Sequence, residues 1–147
     1  MTSEQQEGME MPNTKQSTTH QEKHQRARDL CHEGRPEEAV RLLDELLSDE
    51  HTTERWNDWA TAQLLCDRST EAEKGYRRAL ELDSQNSQAA ANLGVLLAAQ
   101  EKAEEAIPLL QQSLGGLEEE QRTVVSSVLT LITEDAQKGN GDGETST

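Results

Sequence analysis

The chain has 147 residues, room for one domain of ordinary size, yet only 32% of them are hydrophobic and none is Phe, which is thin for a single deep core. Its 29 acidic and 14 basic residues give a net charge of -15, which opposes attraction to phosphate backbones and to anionic membrane surfaces. Nucleic acid is therefore not an expected partner, and since no apolar run approaches the roughly 20 residues that span a bilayer, neither is a membrane.

The first stretch, MTSEQQEGMEMPNTKQSTTHQ, has neither the basic start nor the apolar centre of a secretory signal, so a cytoplasmic address is expected. Residues 1–19 mix Glu, Gln, Ser, Thr and Met without periodicity. They offer too little apolar area to offset their ordering entropy, and a disordered N-terminal tail is expected there.

From residue 20 to residue 136 apolar side chains recur every three or four positions, with no strand-like alternation, so the domain reads as all-α. Breaks fall at Gly34 before Pro36, at 48–53, 67–70, 83–87 and 100–102, and at Gly115-Gly116. Helix starts agree with them: Pro36 suits a first turn, with Glu37 and Glu38 behind it, and Thr70 with Glu73 predicts a capping box. Cys31 and Cys66 lie inside helical patterns with no close-spaced cysteine partner, which predicts small, reduced, partly buried side chains.

The helical region repeats itself. EEAVRLLDELL, TEAEKGYRRALEL and EEAIPLLQQSL superpose on Ala39, Ala72 and Ala106, which are 33 and 34 residues apart. Four positions on stand Leu43, Tyr76 and Leu110, and seven on stand Leu46, Ala79 and Ser113. Twelve positions before each Ala is another small residue, Ala27, Ala60 or Gly94, preceded by Arg26, Trp59 or Leu93 and, three earlier still, by Lys23, Trp56 or Ala90. Two antiparallel helices approach closely only where the residues at their crossing are small. Gly94 opposite Ala106 predicts such a contact, since a Gly inside a helix costs up to about 1 kcal/mol against Ala and needs compensation from packing.

This pattern resembles the tetratricopeptide repeat, over about residues 20 to 114. Repeat two carries Trp56, Tyr76 and the ending ALELDSQN, with Ser84 where the family usually has Pro; repeat one departs most, with Lys23 and Arg26 in slots that are apolar in the family. The resemblance implies an α-solenoid of three helix-turn-helix repeats, about 20–52, 53–86 and 87–116. LEEEQRTVVSSVLTLITEDAQ, without the small slots, would follow as a capping helix over 117–136. Residues 137–147, QKGNGDGETST, read as a disordered C-terminal tail; the fragment KGNGDG fails as a calcium loop because Lys138 takes the first ligand slot and no closing Glu is reached.

The resemblance also implies a concave face lined by the first helix of each repeat, in which partner peptides lie. By register the groove would present His24, Arg28 and His32, then Asn57, Thr61, Leu64 and Leu65, then Gln88, Ala91, Asn92, Val95 and Ala99. Family members that clamp acidic chaperone tails use Lys and Asn there; here those slots hold His24, Arg28, Asp58, Gln88 and Asn92, and Asp58 would repel such a tail. His20 and His24 are poor metal ligands, because Cys31 lies about two turns further along the same helix. With no cofactor and no catalytic motif in view, the expected function is a non-catalytic scaffold for a protein or peptide partner. RWNDWATAQ followed by AAANLGVLLA also resembles repeats attached to bacterial glycosyltransferases and methyltransferases, which leaves an accessory regulatory domain as an alternative, and end-to-end self-assembly into a homo-oligomer as another.

Overall fold

The computed structural model describes the backbone of residues 4–142 and the side chains of residues 18–139. Among the described residues the chain forms seven α-helices and no strand: α1 (Glu4–His32), α2 (Pro36–Asp49), α3 (Thr53–Leu65), α4 (Ser69–Leu82), α5 (Ser87–Ala99), α6 (Ala103–Ser113) and α7 (Glu119–Asp142), with a 3-10 turn at Leu114–Gly116 before the last. They pack as successive hairpins, α1 on α2, α3 on α4 and α5 on α6, and α7 lies against α5 and α6 as α5 lies against α3 and α4. The fold is an all-α solenoid of three tetratricopeptide-like hairpins closed by a C-terminal helix.

One turn geometry is used three times. Gly34, Asp67 and Glu101 take positive φ angles of 77°, 60° and 62°, reversing the chain after α1, α3 and α5. In each turn the next amide reaches back five residues: Arg35 N donates to Leu30 O at 2.8 Å, Arg68 N to Gln63 O at 2.9 Å, and Lys102 N to Leu97 O at 2.9 Å. These are helix C-terminal closures in which a left-handed residue satisfies carbonyls that the helix leaves free. The first turn uses the residue for which that conformation carries no Cβ penalty; the other two use Asp and Glu.

The helices that open the second and third repeats are capped by side chains. Thr52 Oγ1 accepts from Arg55 N at 3.2 Å, and Asn86 Oδ1 accepts from Ala89 N at 2.9 Å. Pro36 occupies the first turn of α2, as expected. The capping box expected at Thr70 and Glu73 does not form. Helix α4 already begins at Ser69, which carries Thr70 into the first turn, and the N-cap position falls to Arg68.

Helices also extend beyond the expected domain at both ends. Helix α1 runs from Glu4, through the segment assigned to a disordered tail, and α7 runs on to Asp142; residues 1–3 and 143–147 of the two expected tails lie outside the described residues. Low hydrophobicity argues against a core and leaves local propensity untouched: Glu, Gln, Met and Lys lose little rotamer freedom in a helix. A helix already nucleated by packing gains one hydrogen bond for each residue added, except at Pro12, which has no N–H to give.

Burial follows the 33- to 34-residue period. Ala27, Ala39, Ala60, Ala72, Ala79 and Ala106 are fully buried, as are Leu43 and Leu110, with Tyr76, Leu46 and Leu93 nearly so. The core has two parts. Ala27, Leu30, Ala39, Val40, Leu43 and Leu46 form one around the first hairpin; a larger one joins hairpins two and three to Leu117 and Val125. Trp59 packs against both and donates from its indole to Asp44 Oδ1 at 2.8 Å, while its ring meets Trp56 edge-on, with centroids 5.5 Å apart. Trp56 itself stacks on His51 at the mouth of the second repeat.

The polar first repeat keeps its charges outside: Arg26 pairs with Glu33 at 2.9 Å and Lys23 with Glu45 at 3.3 Å, so neither enters the apolar slot that the register would give it. Gln63 is buried in a slot held by Leu30 and Leu97 in the other repeats, and its side-chain oxygen is satisfied by Arg68 Nη1 at 3.2 Å. Arg55, also buried, reaches the end of α2 and donates to Leu46 O and Glu50 O, both at 2.9 Å.

Candidate partner-binding groove

The first helices of the hairpins, α1, α3 and α5, stand side by side with α7 and line a continuous concave surface of three joined depressions. The first, about 370 Å³, is lined by Arg28, Cys31, His32, Asp58, Thr61 and Leu65 over Ala27 and Leu43. The second, about 510 Å³, shares Arg28, Asp58 and Thr61 with it and adds Glu54, Asn57, Leu64, Tyr76, Asn86, Gln88 and Asn92. The third, about 430 Å³, shares Gln88 and Asn92 with the second and runs over Ala91 and Val95 to Leu117, Glu120, Gln121, Val124 and Val125.

Helical spacing brings these side chains to one face: Asn57, Thr61 and Leu64 are one turn apart on α3, as are Gln88, Asn92 and Val95 on α5. Of the expected groove residues, Arg28, His32, Asn57, Thr61, Leu64, Leu65, Gln88, Ala91, Asn92 and Val95 line the depressions; His24 joins through its bond to Asp58, and Ala99 lies outside all three.

The polar groups are paired along the groove. Gln121 Nε2 donates to Gln88 Oε1 at 2.9 Å, Gln88 Nε2 to Asn92 Oδ1 at 3.3 Å, and Asn92 Nδ2 to Asn57 Oδ1 at 3.0 Å, a chain of amides that crosses from α7 over α5 to α3. Thr61 Oγ1 donates to Asn57 O at 3.0 Å and lies 3.0 Å from the Tyr76 hydroxyl. Each such amide keeps further donor and acceptor capacity for a ligand, since a primary amide offers two donors and an acceptor with two lone pairs.

Asp58 stands between the first two depressions. His24 Nε2 lies 2.6 Å and Arg28 Nε 2.7 Å from its Oδ2. Burial alone would raise the Asp58 pKa, but the hydrogen bonds and charges of His24 and Arg28 outweigh it, so the carboxyl is held below the ordinary aspartate range. Burial raises Tyr76 in turn, partly offset by its bond to Thr61. The Cys31 thiol is pushed up by burial and then by Asp58 and Cys66, and Cys66 is pushed up by burial, so both stay protonated and poorly nucleophilic at neutral pH.

His20 and His24 turn to different carboxylates, Asp49 at 3.1 Å and Asp58. Among the described residues no group of three or more His, Cys, Asp or Glu side chains could hold a metal. No helix among them is long and apolar enough to cross a membrane.

Sequence reasoning missed the share of α7. Glu120, Gln121 and Val124 form one wall of the third depression, so α7 both covers the flank of the third hairpin and extends the groove. The signal was present, because Gln121 and Val124 stand 33 residues after Gln88 and Ala91, in the same register. The small slots that locate a repeat are missing there, so nothing in the sequence marks a fourth repeat at that position.

No family model matches the chain, and no curated protein matches it. Among solved structures the fold is similar to the type III secretion translocator chaperone SycD of Yersinia enterocolitica, with a TM-score of 0.75, 18% identity, and coverage of 81% of this chain and 95% of that one. SycD in complex with a peptide of the translocator YopD gives a TM-score of 0.74 at 17% identity, again over 81% and 95%. MamA gives 0.61 at 14% identity, over 83% of this chain and 81% of that one. At these identities the likeness is one of fold, and it defines the class of this chain: an all-α, tetratricopeptide-like helical-repeat protein.

Proposed function

We propose that this chain is a non-catalytic scaffold that holds a segment of a partner protein in the concave groove over α1, α3, α5 and α7. The observation that carries this reading is the amide chain Gln121–Gln88–Asn92–Asn57, which lies along the floor of an open groove flanked by Leu65, 53% exposed, and Val95, 38% exposed. Amides can bond the backbone of an extended peptide, and aliphatic neighbours can take its side chains without the desolvation cost of a charge. The SycD structure solved with a YopD peptide shows that a neighbour of this fold binds peptide, which supports the same class of ligand here. The one thiol that lines the groove, Cys31, is held protonated by burial and then by Asp58.

The test is peptide selection. A random peptide display library is panned on the full chain, and the selected peptides are rebound to Val95→Lys and Asn92→Ala, at one exposed and one half-buried position. Loss of binding by about tenfold or more in both variants supports the groove, by the order of magnitude expected for removing one or two well-placed contacts. Equal binding by both variants rejects it. Association of the chain with itself in light scattering, or capture solely by an adjoining transferase, would favour the two alternative readings in turn.

A further inference from the structure

The groove is chemically uneven, and its unevenness specifies an occupant; this inference rests on the groove reading above. Each outer depression holds an apolar cluster among polar neighbours: Ala27, Cys31, Leu43 and Leu65 in the first, and Ala91, Val95, Leu117 and Val124 in the third, where Glu120 and Gln121 stand beside them. Among the described residues, three of the five exposed large hydrophobic side chains, Leu65, Val95 and Val124, stand in these two places. The middle depression has no such cluster; beside Leu64 its lining side chains are chiefly polar, with Asn57, Thr61, Tyr76, Asn86 and Asn92.

The charges are uneven too. Arg28 is the single Lys or Arg lining the three depressions, and its guanidinium is bonded to Asp58. Glu54 in the middle depression and Glu120 in the third are exposed carboxylates with no ion pair among the described residues. Both bonds to Asp58 fall on Oδ2, so Oδ1 is left with acceptor capacity at the junction of the first two depressions. The groove therefore presents unneutralised negative charge in a molecule whose net charge is already -15.

We propose that the groove selects an extended, basic segment of a partner, with two apolar side chains seated in the outer depressions and Lys or Arg between or beside them facing Glu54, Asp58 and Glu120. The spacing follows from the helices. The outer depressions lie between α1 and α3 and between α5 and α7, two interhelical steps of about 8–10 Å each. An extended chain advances about 3.3 Å per residue, so the apolar side chains stand about five or six residues apart. A second copy of this chain is a poor occupant, because two such acidic surfaces repel.

The experiment measures fluorescence anisotropy of labelled synthetic peptides against the full chain. Each peptide carries two leucines, separated by two to ten residues of Gly, Ser and Asn, with either two Lys or two Glu between them. The Lys series is expected to bind best at a separation of about five or six residues and to outbind the Glu series by about tenfold or more, a preference that shrinks with added salt. The Glu54→Gln, Glu120→Gln double variant is expected to remove most of that preference, and Leu65→Ser or Val124→Ser, which remove apolar area without adding charge, to weaken the Lys peptides by about tenfold. All four positions are exposed, so the variants retain the fold.

Equal or tighter binding of the Glu series, or binding independent of leucine separation, overturns the proposal. If that happens while Val95→Lys still abolishes binding, the groove holds a different ligand; if Val95→Lys and Asn92→Ala leave every peptide unaffected, the groove reading fails with it.

Discussion

Gly94 on α5 lies directly against Leu110 on α6: a Cβ added at Gly94 would stand 2.7 Å from both Cγ and Cδ2 of Leu110 and 3.4 Å from the Ala106 carbonyl oxygen. Leu110 is fully buried, so it has little space into which to withdraw. Gly94→Ala gains up to about 1 kcal/mol of helix propensity and incurs an overpacking cost of about 1–3 kcal/mol, so the variant is expected to be less stable. Gly94→Leu should lose several-fold more. Adding Leu110→Ala to Gly94→Ala should recover part of the loss, a coupling that a double-mutant cycle by thermal melting reads directly. Gly94→Leu melting at the wild-type temperature would disprove the close crossing.

The small side chains at the hairpin crossings were legible because they recur. A second close contact was not. A Cβ on Gly75 would lie 2.8 Å from Ala60 Cβ and from Trp59 Cε3, so the indole of Trp59 occupies the space that a side chain at position 75 would need. The corresponding positions in the other repeats hold Leu42 and Leu109, and a register that averages over repeats hides a local exchange of a large residue for a small one across the contact. Helix existence could be read from periodicity, whereas the reach of α1 and α7 beyond the expected domain could not, because helix propensity and core formation are separate requirements. In the groove, register placed most of the expected residues along the three depressions, but not Ala99, and it did not reach Glu120, Gln121 and Val124 on α7. It could not give the pairings His24–Asp58 and Asn57–Asn92, which depend on how far one hairpin rotates past the next.

The three equivalent turns make a second prediction. Asp67 and Glu101 hold the left-handed conformation that Gly34 holds in the first repeat, at a cost of roughly 1 kcal/mol for a residue with a Cβ. Asp67→Gly and Glu101→Gly are each expected to raise stability by about 0.5–1 kcal/mol, less the extra unfolded-state entropy of Gly. The melting temperature should rise by a few degrees in each, since about 1 kcal/mol corresponds to about 4 °C for a domain of this size. Gly34→Ala should fall by a comparable amount. Unchanged melting in all three would show that these residues are not left-handed in solution.

Two arginines separate buried from exposed charge. Arg55 is buried and bonds two carbonyls at the end of α2. Arg55→Met keeps much of the aliphatic volume and removes both donors; Leu46 O keeps its bond from Glu50 N, so the expected loss is that of the charged hydrogen bonds themselves, about 1.5–3 kcal/mol. Arg77 pairs with Glu73 and Glu105, both at 3.1 Å, from an exposed position; Arg77→Met should cost under about 1 kcal/mol and still less in high salt. Urea unfolding of the two variants measures both. Equal losses would mean that Arg55 does not close the end of α2.

Asp58 gives the chain an acid-sensitive joint between its first two repeats. His24 and Arg28 on α1 both bond its carboxylate on α3, and against the opposing effect of burial they hold its pKa below the unfolded value, which for aspartate is about 3.9. A depressed carboxylate stabilises the fold fully above its unfolded pKa and loses that contribution as the pH falls through the folded value. Wild-type stability should therefore drop as the pH falls below about 4. Asp58→Asn cannot take the charge at any pH, so it should melt lower than wild type at neutral pH, and the two melting curves should converge in acid. Other carboxylates also titrate there, Glu38 among them, lowered chiefly by its hydrogen bond to Arg35, but they are common to both proteins and cancel in the difference. A wild-type minus Asp58→Asn difference that stays constant from neutral pH into strong acid would show that the joint between α1 and α3 does not depend on the ionised carboxylate.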